Sequence, residues 1–466
     1  MTPAATPPAA LALERPAVRA SAGDPLLARQ TFLPQINWTP PPPRGRRPLV
    51  AVLDTGVDAR NADLAGVVLA GAGRSFAPGA PDPLRDVAGH GTHVAGIIAA
   101  VSGNGIGGSG VAAARILPVT IADARGRTTS SALVRGLRYA TARGARVINV
   151  SFGGRGYSRR EQAAIDDAVG AGALVVVAVG NTGGRGGPPQ FPGAYRQVVS
   201  VAALGASGRP LPLSERGPQV SIAAPGEDVA SARSGGRGPA PPGGLVSRSG
   251  TSVSAAIVSG AAARLMAQRP GITAPQVRAL LEATARDLAP SGPDSATGAG
   301  ILDLAAALAA RTPPAEDPEP NDDPALAAST PALVLSRAPA ALAVRGRVGS
   351  WRDPRDGFRV PLTRGESLTA RLAPGGPGRL ALALWRPGTP AGVRDDRFAR
   401  RWLAAASQAG SPTVAVALVV PATGTYTLEV QGIRGESGYA TGVGYSVTIE
   451  TQVFRPAPAR SRMTVR

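Results

Sequence analysis

The sequence has no cysteine, no lysine and only two histidines in 466 residues. The missing cysteine excludes disulfide frameworks, cysteine-ligated zinc or iron–sulfur centres and cysteine nucleophiles. The two histidines, His90 and His93, stand three positions apart, so any chemistry that needs imidazole must use that short segment. No run reaches the ~18 consecutive apolar residues of a transmembrane helix. The first residues carry neither a charged n-region nor a true apolar core and do not read as a signal peptide. All 50 basic residues are arginine, against 31 acidic ones, for a net charge of +19. Clusters at Arg44, Arg46 and Arg47, at Arg155, Arg159 and Arg160, and at Arg397, Arg400 and Arg401 lack interleaved aromatics. No nucleic-acid partner is therefore expected. They read as a solvated surface, with attraction to anionic envelope polymers or acidic substrates left open.

What is present is enough for a large core: 43 % of residues are hydrophobic, and the length suggests two to four domains. Residues 1–24 are Pro/Ala-rich and read as disordered. Residues 25–47 carry apolar anchors and then a proline run, as an arm lying on a domain would. From there to residue 310, apolar runs at 49–53, 146–150, 173–179 and 198–203 alternate with helical patterns. Ser158 and Glu161 form a capping-box pattern before one helix, and Thr273 and Gln276 stand at the start of another. Near-continuous Val/Ile/Ala strands between helices predict a parallel α/β sheet covered on both faces. Residues 311–325 are Pro- and acid-rich and read as a linker. In 326–455 the period changes to two, at Phe358/Val360/Leu362, Leu380/Leu382/Leu384, Val414/Val416/Leu418/Val420, Tyr426/Leu428/Val430 and Tyr445/Val447/Ile449. That predicts an antiparallel β-sandwich, followed by a basic tail at 456–466.

Three segments carry candidate chemistry. Asp54 ends a short buried strand in V-L-D-T-G, where α/β folds place their sites; alone it also reads as a turn cap. His90 opens a small-residue helix in G-H-G-T-H-V-A-G. The spacing to His93 lacks a metalloprotease pattern. One histidine is expected to be catalytic and the other a buried, hydrogen-bonded helix residue. Ser252 opens another small-residue helix in S-G-T-S-V-S-A-A; alone it reads as an N-cap. Together they supply a hydroxyl nucleophile, a base to take its proton and a carboxylate to orient that base. The chain order Asp54, His90, Ser252 is the order of one of the known serine-protease arrangements.

These three motifs resemble the active-site motifs of subtilisin-like serine proteases, the subtilases, over residues 25–310. V-I-N-V-S-F-G-G (147–154) is similar to the family's substrate-binding strand and V-V-A-V-G-N (176–181) to its oxyanion-hole segment. The resemblance implies a serine endopeptidase acting on proteins or peptides, with Ser252 as nucleophile, His90 as general base, Asp54 as orienting carboxylate and Asn181 as oxyanion donor. The alternative is an inactive binding protein on the same fold. The resemblance further implies that substrate lies extended between Ser151, Phe152 and Gly153 on one edge and the turn holding Gly126 on the other. Its first specificity pocket would be lined by Phe152, Gly153, Gly154, Ala178, Val179, Gly180 and Gln190. Gln190 stands where the family often has glycine, which predicts a shortened or polar pocket with little preference for large aromatic residues. Chemistry needs no cofactor. A structural calcium is implied at Asp63 and Asn104, completed by the carbonyls of Ser102, Ile106 and Gly108. Val253 and Ala256 depart from the usual Met or Phe and Pro.

The sandwich is similar to the pre-peptidase C-terminal domains of secreted bacterial proteases, on E-P-N-D-D (319–323), D-G-F-R-V (356–360) and G-T-Y-T-L-E-V (424–430). The resemblance implies an extracellular or cell-envelope protein, with envelope-polymer contact through this domain, and a monomer.

Overall fold

The computed structural model describes residues 23–42, 45–183, 189–239, 243–288, 292–313, 340–348, 355–375, 379–387, 402–407, 414–433 and 443–453. The segments expected to be disordered at 1–24, linking at 311–325 and basic at 456–466 lie wholly or mostly outside these. The chain divides into two compact units, Met1–Ala315 and Glu316–Arg466.

In the first unit, seven strands form one sheet: β1 (Leu49–Asp54), β2 (Arg74–Ser75), β3 (Arg115–Thr120), β4 (Val147–Val150), β5 (Leu174–Ala178), β6 (Val198–Leu204) and β7 (Ile222–Pro225). Their order is β2-β3-β1-β4-β5-β6-β7, and every neighbouring pair is parallel. The pleat of β1 divides its residues between two cores. Val50 and Val52 pack with helices α2 (His90–Ala99) and α5 (Thr251–Gln268). Leu49, Ala51 and Leu53 pack with α3 (Ser130–Ala142) and α4 (Arg159–Gly170). The arm lies in the first core: Phe32 and Leu33 of the short helix α1 (Phe32–Gln35), with Ile36 and Trp38, are buried there. The Trp38 indole N–H donates to the Val111 carbonyl at 3.3 Å.

Two short strands, β8 (Val229–Ala232) and β9 (Leu245–Arg248), form an antiparallel pair. Helices α6 (Ala274–Ala283) and α7 (Leu304–Ala309) follow. The capping box opening α6 is complete, with Thr273 and Gln276 exchanging side-chain and backbone bonds. At α4 only half of the expected box forms. Ser158 Oγ accepts from the Glu161 N–H, but the Glu161 carboxylate turns away to accept the Tyr195 hydroxyl at 2.7 Å. The Ser158 N–H donates to the Tyr195 hydroxyl oxygen at 2.8 Å, so the phenol is inserted between the two groups that would have closed the box and satisfies both.

The second unit holds two four-stranded antiparallel sheets built from β10 (Ala340–Val348), β11 (Arg355–Leu362), β12 (Glu366–Pro374), β13 (Arg379–Trp385), β14 (Trp402–Ser407), β15 (Val414–Val419), β16 (Gly424–Ile433) and β17 (Val443–Val453). Their orders are β10-β17-β12-β15 and β11-β16-β13-β14. The alternating residues Phe358/Val360/Leu362, Leu380/Leu382/Leu384, Tyr426/Leu428/Val430 and Tyr445/Val447/Ile449 face one shared core. The fold is thus a parallel α/β unit followed by a β-sandwich.

Candidate active site

Asp54 is the last residue of β1 and fully buried. It lies at the carboxyl edge of the sheet, where the chain passes from one side of β1 to the other: β3 lies on one flank and β4 on the opposite. Such a crossing leaves a crevice at the strand ends. The Asp54 Oδ1 atom accepts the His90 Nδ1–H at 2.7 Å and the Thr55 N–H at 2.8 Å. An acceptor at Nδ1 selects the tautomer that leaves Nε2 free as the basic nitrogen. Burial pushes the His90 imidazole down, but the charge and hydrogen bond of Asp54 outweigh it and raise the pKa above the usual histidine value. Arg248, whose guanidinium donates to the Ala88 carbonyl at 3.0 Å, works against that rise.

The approach of α2 to β1 depends on glycine. A Cβ on Gly91 would stand 2.9 Å from Asp54 Cβ, closer than side chains tolerate. Gly89, the N-cap, adopts a left-handed conformation at φ 71°. Sequence reasoning missed the group that holds this turn, Asp86. Its buried carboxylate accepts from Gly89 N, Thr92 N, Thr92 Oγ1 and Thr55 Oγ1, each at 2.8 Å. Burial raises its pKa, the Thr92 and Thr55 bonds oppose that, and the charge of Asp54 adds to it. An acid three residues before a glycine N-cap was the only signal for it.

His93 does not join the site. Its Nε2–H is shared between the Val229 and Val246 carbonyls at 2.9 and 3.0 Å, which braces β8 and β9. Burial drives its pKa down to about 3. As pH falls from 6.5 towards 3, the unfolded chain takes a proton that folded His93 refuses. That stability is therefore lost on acidification, at roughly 1.4 kcal/mol per pH unit. Asp63 has the opposite sign: burial raises it to about 6, so its contribution is lost as pH rises from 3.8 to about 6. A His93→Gln variant isolates the first effect. Denaturant unfolding between pH 6.5 and 4 is expected to show the wild type losing stability relative to the variant as pH falls; a constant difference would be the contrary result.

Ser252 is the second residue of α5, whose N-cap is Gly250 without any side-chain cap, so Ser252 is not the cap it reads as when taken alone. Its Oγ instead donates to the Ser151 carbonyl at 3.1 Å. Ser151 is itself fixed by Asn149, whose amide donates to Ser151 Oγ at 2.9 Å and whose carbonyl accepts from Ser259. The His90 ring lies 6.1 Å, between centroids, from that of Phe152. Ring and hydroxyl thus converge on the dipeptide Ser151–Phe152. Asn181 follows β5, and its Oδ1 accepts both the N–H and the hydroxyl of Thr251 at 2.9 Å. With the oxygen tied down, the Nδ2 donor is left over. The Ser252 N–H is the next unpaired donor of the first turn, at the positive end of the helix dipole.

The remaining expected residues divide. Gly153 and Gly180 both face the Gln190 carboxamide, and the gap between them is the cleft that the resemblance assigns to substrate; Gln190 reaches it because Gly154 and Phe191 exchange backbone hydrogen bonds at 2.8 Å. The side chains of Ala178 and Val179 instead face two hydrophobic cores, so they offer the cleft only backbone. Gly126 lies in an exposed turn closed on Asp123, whose carboxylate accepts from Arg125 N and Arg127 N; these bonds do not join it to Ser252 or His90.

Asp63 and Asn104 do meet, but as partners of each other. The Asn104 amide donates to Asp63 Oδ1 at 3.2 Å and Gly108 N donates to Oδ2 at 3.0 Å. The Asn104 oxygen accepts from Ile106 N, and Asp24 accepts from Gly103 N, Asn104 N and Ser109 Oγ. The loop turns N–H donors towards its carboxylates, whereas calcium needs oxygen ligands. These residues as arranged do not fit the cation. Among the described residues no group of three His, Asp or Glu side chains is arranged to hold a metal ion.

The subtilase family model matches residues 45–300, more than half of the chain. Subtilisin E of Bacillus subtilis (strain 168) is 35 % identical over 261 residues, covering 55 % of this chain and 65 % of that protein. The cell wall-associated protease of the same organism is 38 % identical over 241 residues, covering 52 % of this chain and 26 % of that protein. Among solved structures, MycP1 from Mycobacterium smegmatis aligns with a TM-score of 0.51 at 29 % identity, over 59 % of this chain and 82 % of that one. This chain spans less than two thirds of the subtilisin E length. With the family model matched across the sheet and all three motif segments, the chain belongs to the subtilase family.

Proposed function

We propose that the chain is a serine endopeptidase acting through an acyl-enzyme. The observation that carries this is the 2.7 Å contact of His90 with buried Asp54, on the same edge where Ser252 abuts Ser151. In this reading the Ser252 hydroxyl leaves the Ser151 carbonyl for His90 Nε2, a tightening that substrate binding commonly brings. Ser252 Oγ then attacks the scissile carbonyl as Nε2 takes its proton. Asp54 holds the tautomer and stabilises the imidazolium. The developing oxyanion is met by Asn181 Nδ2 and the Ser252 N–H. The imidazolium protonates the leaving amine, and water, activated by the same nitrogen, releases the acyl group. The inactive-scaffold alternative has no observation in its favour.

The reading is tested by labelling with a fluorophosphonate, which must attach to Ser252, and by casein hydrolysis. The raised His90 pKa also sets the acid limb of activity. The base works only unprotonated, so kcat/KM is expected to fall with decreasing pH through a value above the ordinary 6.5. A limb centred below 6.5 would contradict the role given to Asp54.

Since the Asp63 loop closes on N–H donors, melting in EDTA and in millimolar calcium is expected to coincide. A clear calcium-dependent rise in Tm would show that the loop rearranges to bind the ion.

Placement in the envelope or outside the cell is proposed by analogy with the relatives named above. Among the described residues, no helix is long and apolar enough to cross a membrane. Contact of the C-terminal sandwich with envelope polymer remains part of the same proposal.

A further inference from the structure

The cleft beside Ser252 is filled from within. A Cβ built on Gly153 would lie 2.9 Å from Gln190 Oε1, and one on Gly180 would lie 2.7 Å from the same oxygen. The carboxamide therefore spans the gap between the two glycines. At Gly154 a Cβ would meet nothing within 4 Å, so the mouth is open while the interior is occupied. Gln190 is 7 % exposed.

The plug is tied down by two residues with no role so far. Gln190 Nε2 donates to Thr182 Oγ1 at 2.6 Å and to Glu215 Oε1 at 3.3 Å. The Thr182 hydroxyl in turn donates to Glu215. Glu215 is 3 % exposed, and its backbone N–H donates to the Gly180 carbonyl at 3.1 Å. Its side chain thus starts from one wall of the cleft. A buried carboxylate with these donors cannot give them up cheaply, since each lost bond leaves a desolvated polar atom.

We propose that Glu215 is a positioning residue for substrate selection: with Thr182 it latches the Gln190 carboxamide across the cleft, which restricts cleavage to peptides with a small residue, Gly, Ala or Ser, on the acyl side of the cut. This rests on the serine-peptidase reading. When the carbonyl carbon lies on Ser252 Oγ and its oxygen points to Asn181, the side chain of that residue enters between Gly153 and Gly180. A methyl fits over the plug. A Leu, Phe or Arg side chain fits only if the carboxamide leaves, and that breaks the bonds to Thr182 and Glu215.

The test uses the full chain and paired peptide substrates differing only in Ala or Phe at that position. Fluorophosphonate labelling of Ser252 is measured first. No labelling of the folded protein would bring down the peptidase reading, and this proposal with it. Given labelling, the wild type is expected to favour Ala over Phe by about 10²-fold in kcat/KM, the scale of a pocket one group too small. Gln190→Gly is expected to reverse the order. Glu215→Ala is expected to relax selectivity at least tenfold, through a lower KM rather than a higher kcat for the Phe peptide. Glu215→Gln, which keeps an acceptor, is expected to restore it. Thr182→Val tests the latch from its other side if Glu215→Ala fails to fold. A wild type that prefers Phe, or a labelled and folded Glu215→Ala with an unaltered Ala-to-Phe ratio, would overturn the proposal.

Discussion

Replacing Ser252 by alanine is expected to lower kcat by about 10⁶-fold, the size of the loss on removing the nucleophile in subtilisin itself. The structure says why the loss should be chemical rather than structural. The residue is 8 % exposed between Thr251 and Val253 on a helix that continues Ser-Ala-Ala, and its single side-chain bond is to the Ser151 carbonyl. Alanine fits that space and favours helix. Melting temperature and KM should therefore barely move, while fluorophosphonate labelling disappears. Because the three groups act as a unit, adding His90→Ala to Ser252→Ala should cost almost nothing more. Turnover in the variant within tenfold of wild type would place the nucleophile elsewhere.

Asp54→Asn is expected to cost about 10⁴-fold at neutral pH, as loss of the orienting carboxylate does in serine proteases generally. The amide retains the size of the carboxylate. It offers His90 a donor as well as an acceptor, and the tautomer with the proton on Nε2 can no longer be excluded. The sign of the accompanying pKa change follows from the causes already named. Burial and Arg248 both push the His90 pKa down, and Asp54 is the main group holding it up. Without the negative charge, the acid limb of kcat/KM should move to lower pH. With only two histidines in the chain, and His93 held near 3, proton NMR can follow His90 without ambiguity. An unshifted His90 titration in the variant would refute the assignment.

Strand β1, helices α2 and α5 and the sandwich core were legible because their signals are local. A run of Val and Leu, a helix of small residues or a period of two can each be read within a dozen positions. The candidate residues Asp54, His90, Ser252 and Asn181 could be named for the same reason, since each stands in a short motif. Asp86 was not, because its four donors come from Thr55, Gly89 and Thr92, and no spacing announces a carboxylate that gathers them. Glu215 was hidden for the same reason: its partners lie 33 and 25 residues away. The calcium expectation turns on orientation. Residue types around Asp63 suit a cation, but whether a glycine-rich loop turns carbonyls or N–H groups inward is a matter of backbone torsion. At Glu161, half of the capping pattern forms, and the insertion of Tyr195 into the other half was invisible until the segments were brought together.

The buried arm has a spectroscopic consequence. Among residues 1–315 there is one tryptophan, Trp38, and it sits on the arm at 5 % exposure with its indole bonded to Val111. Its emission is therefore that of an indole in a dry, fixed environment when the arm is seated. A fragment containing only this unit would report arm detachment as a red shift, separately from any change at Ser252. The subtilase-family unit thus carries its own fluorophore for its assembly, at the segment where sequence patterning is weakest.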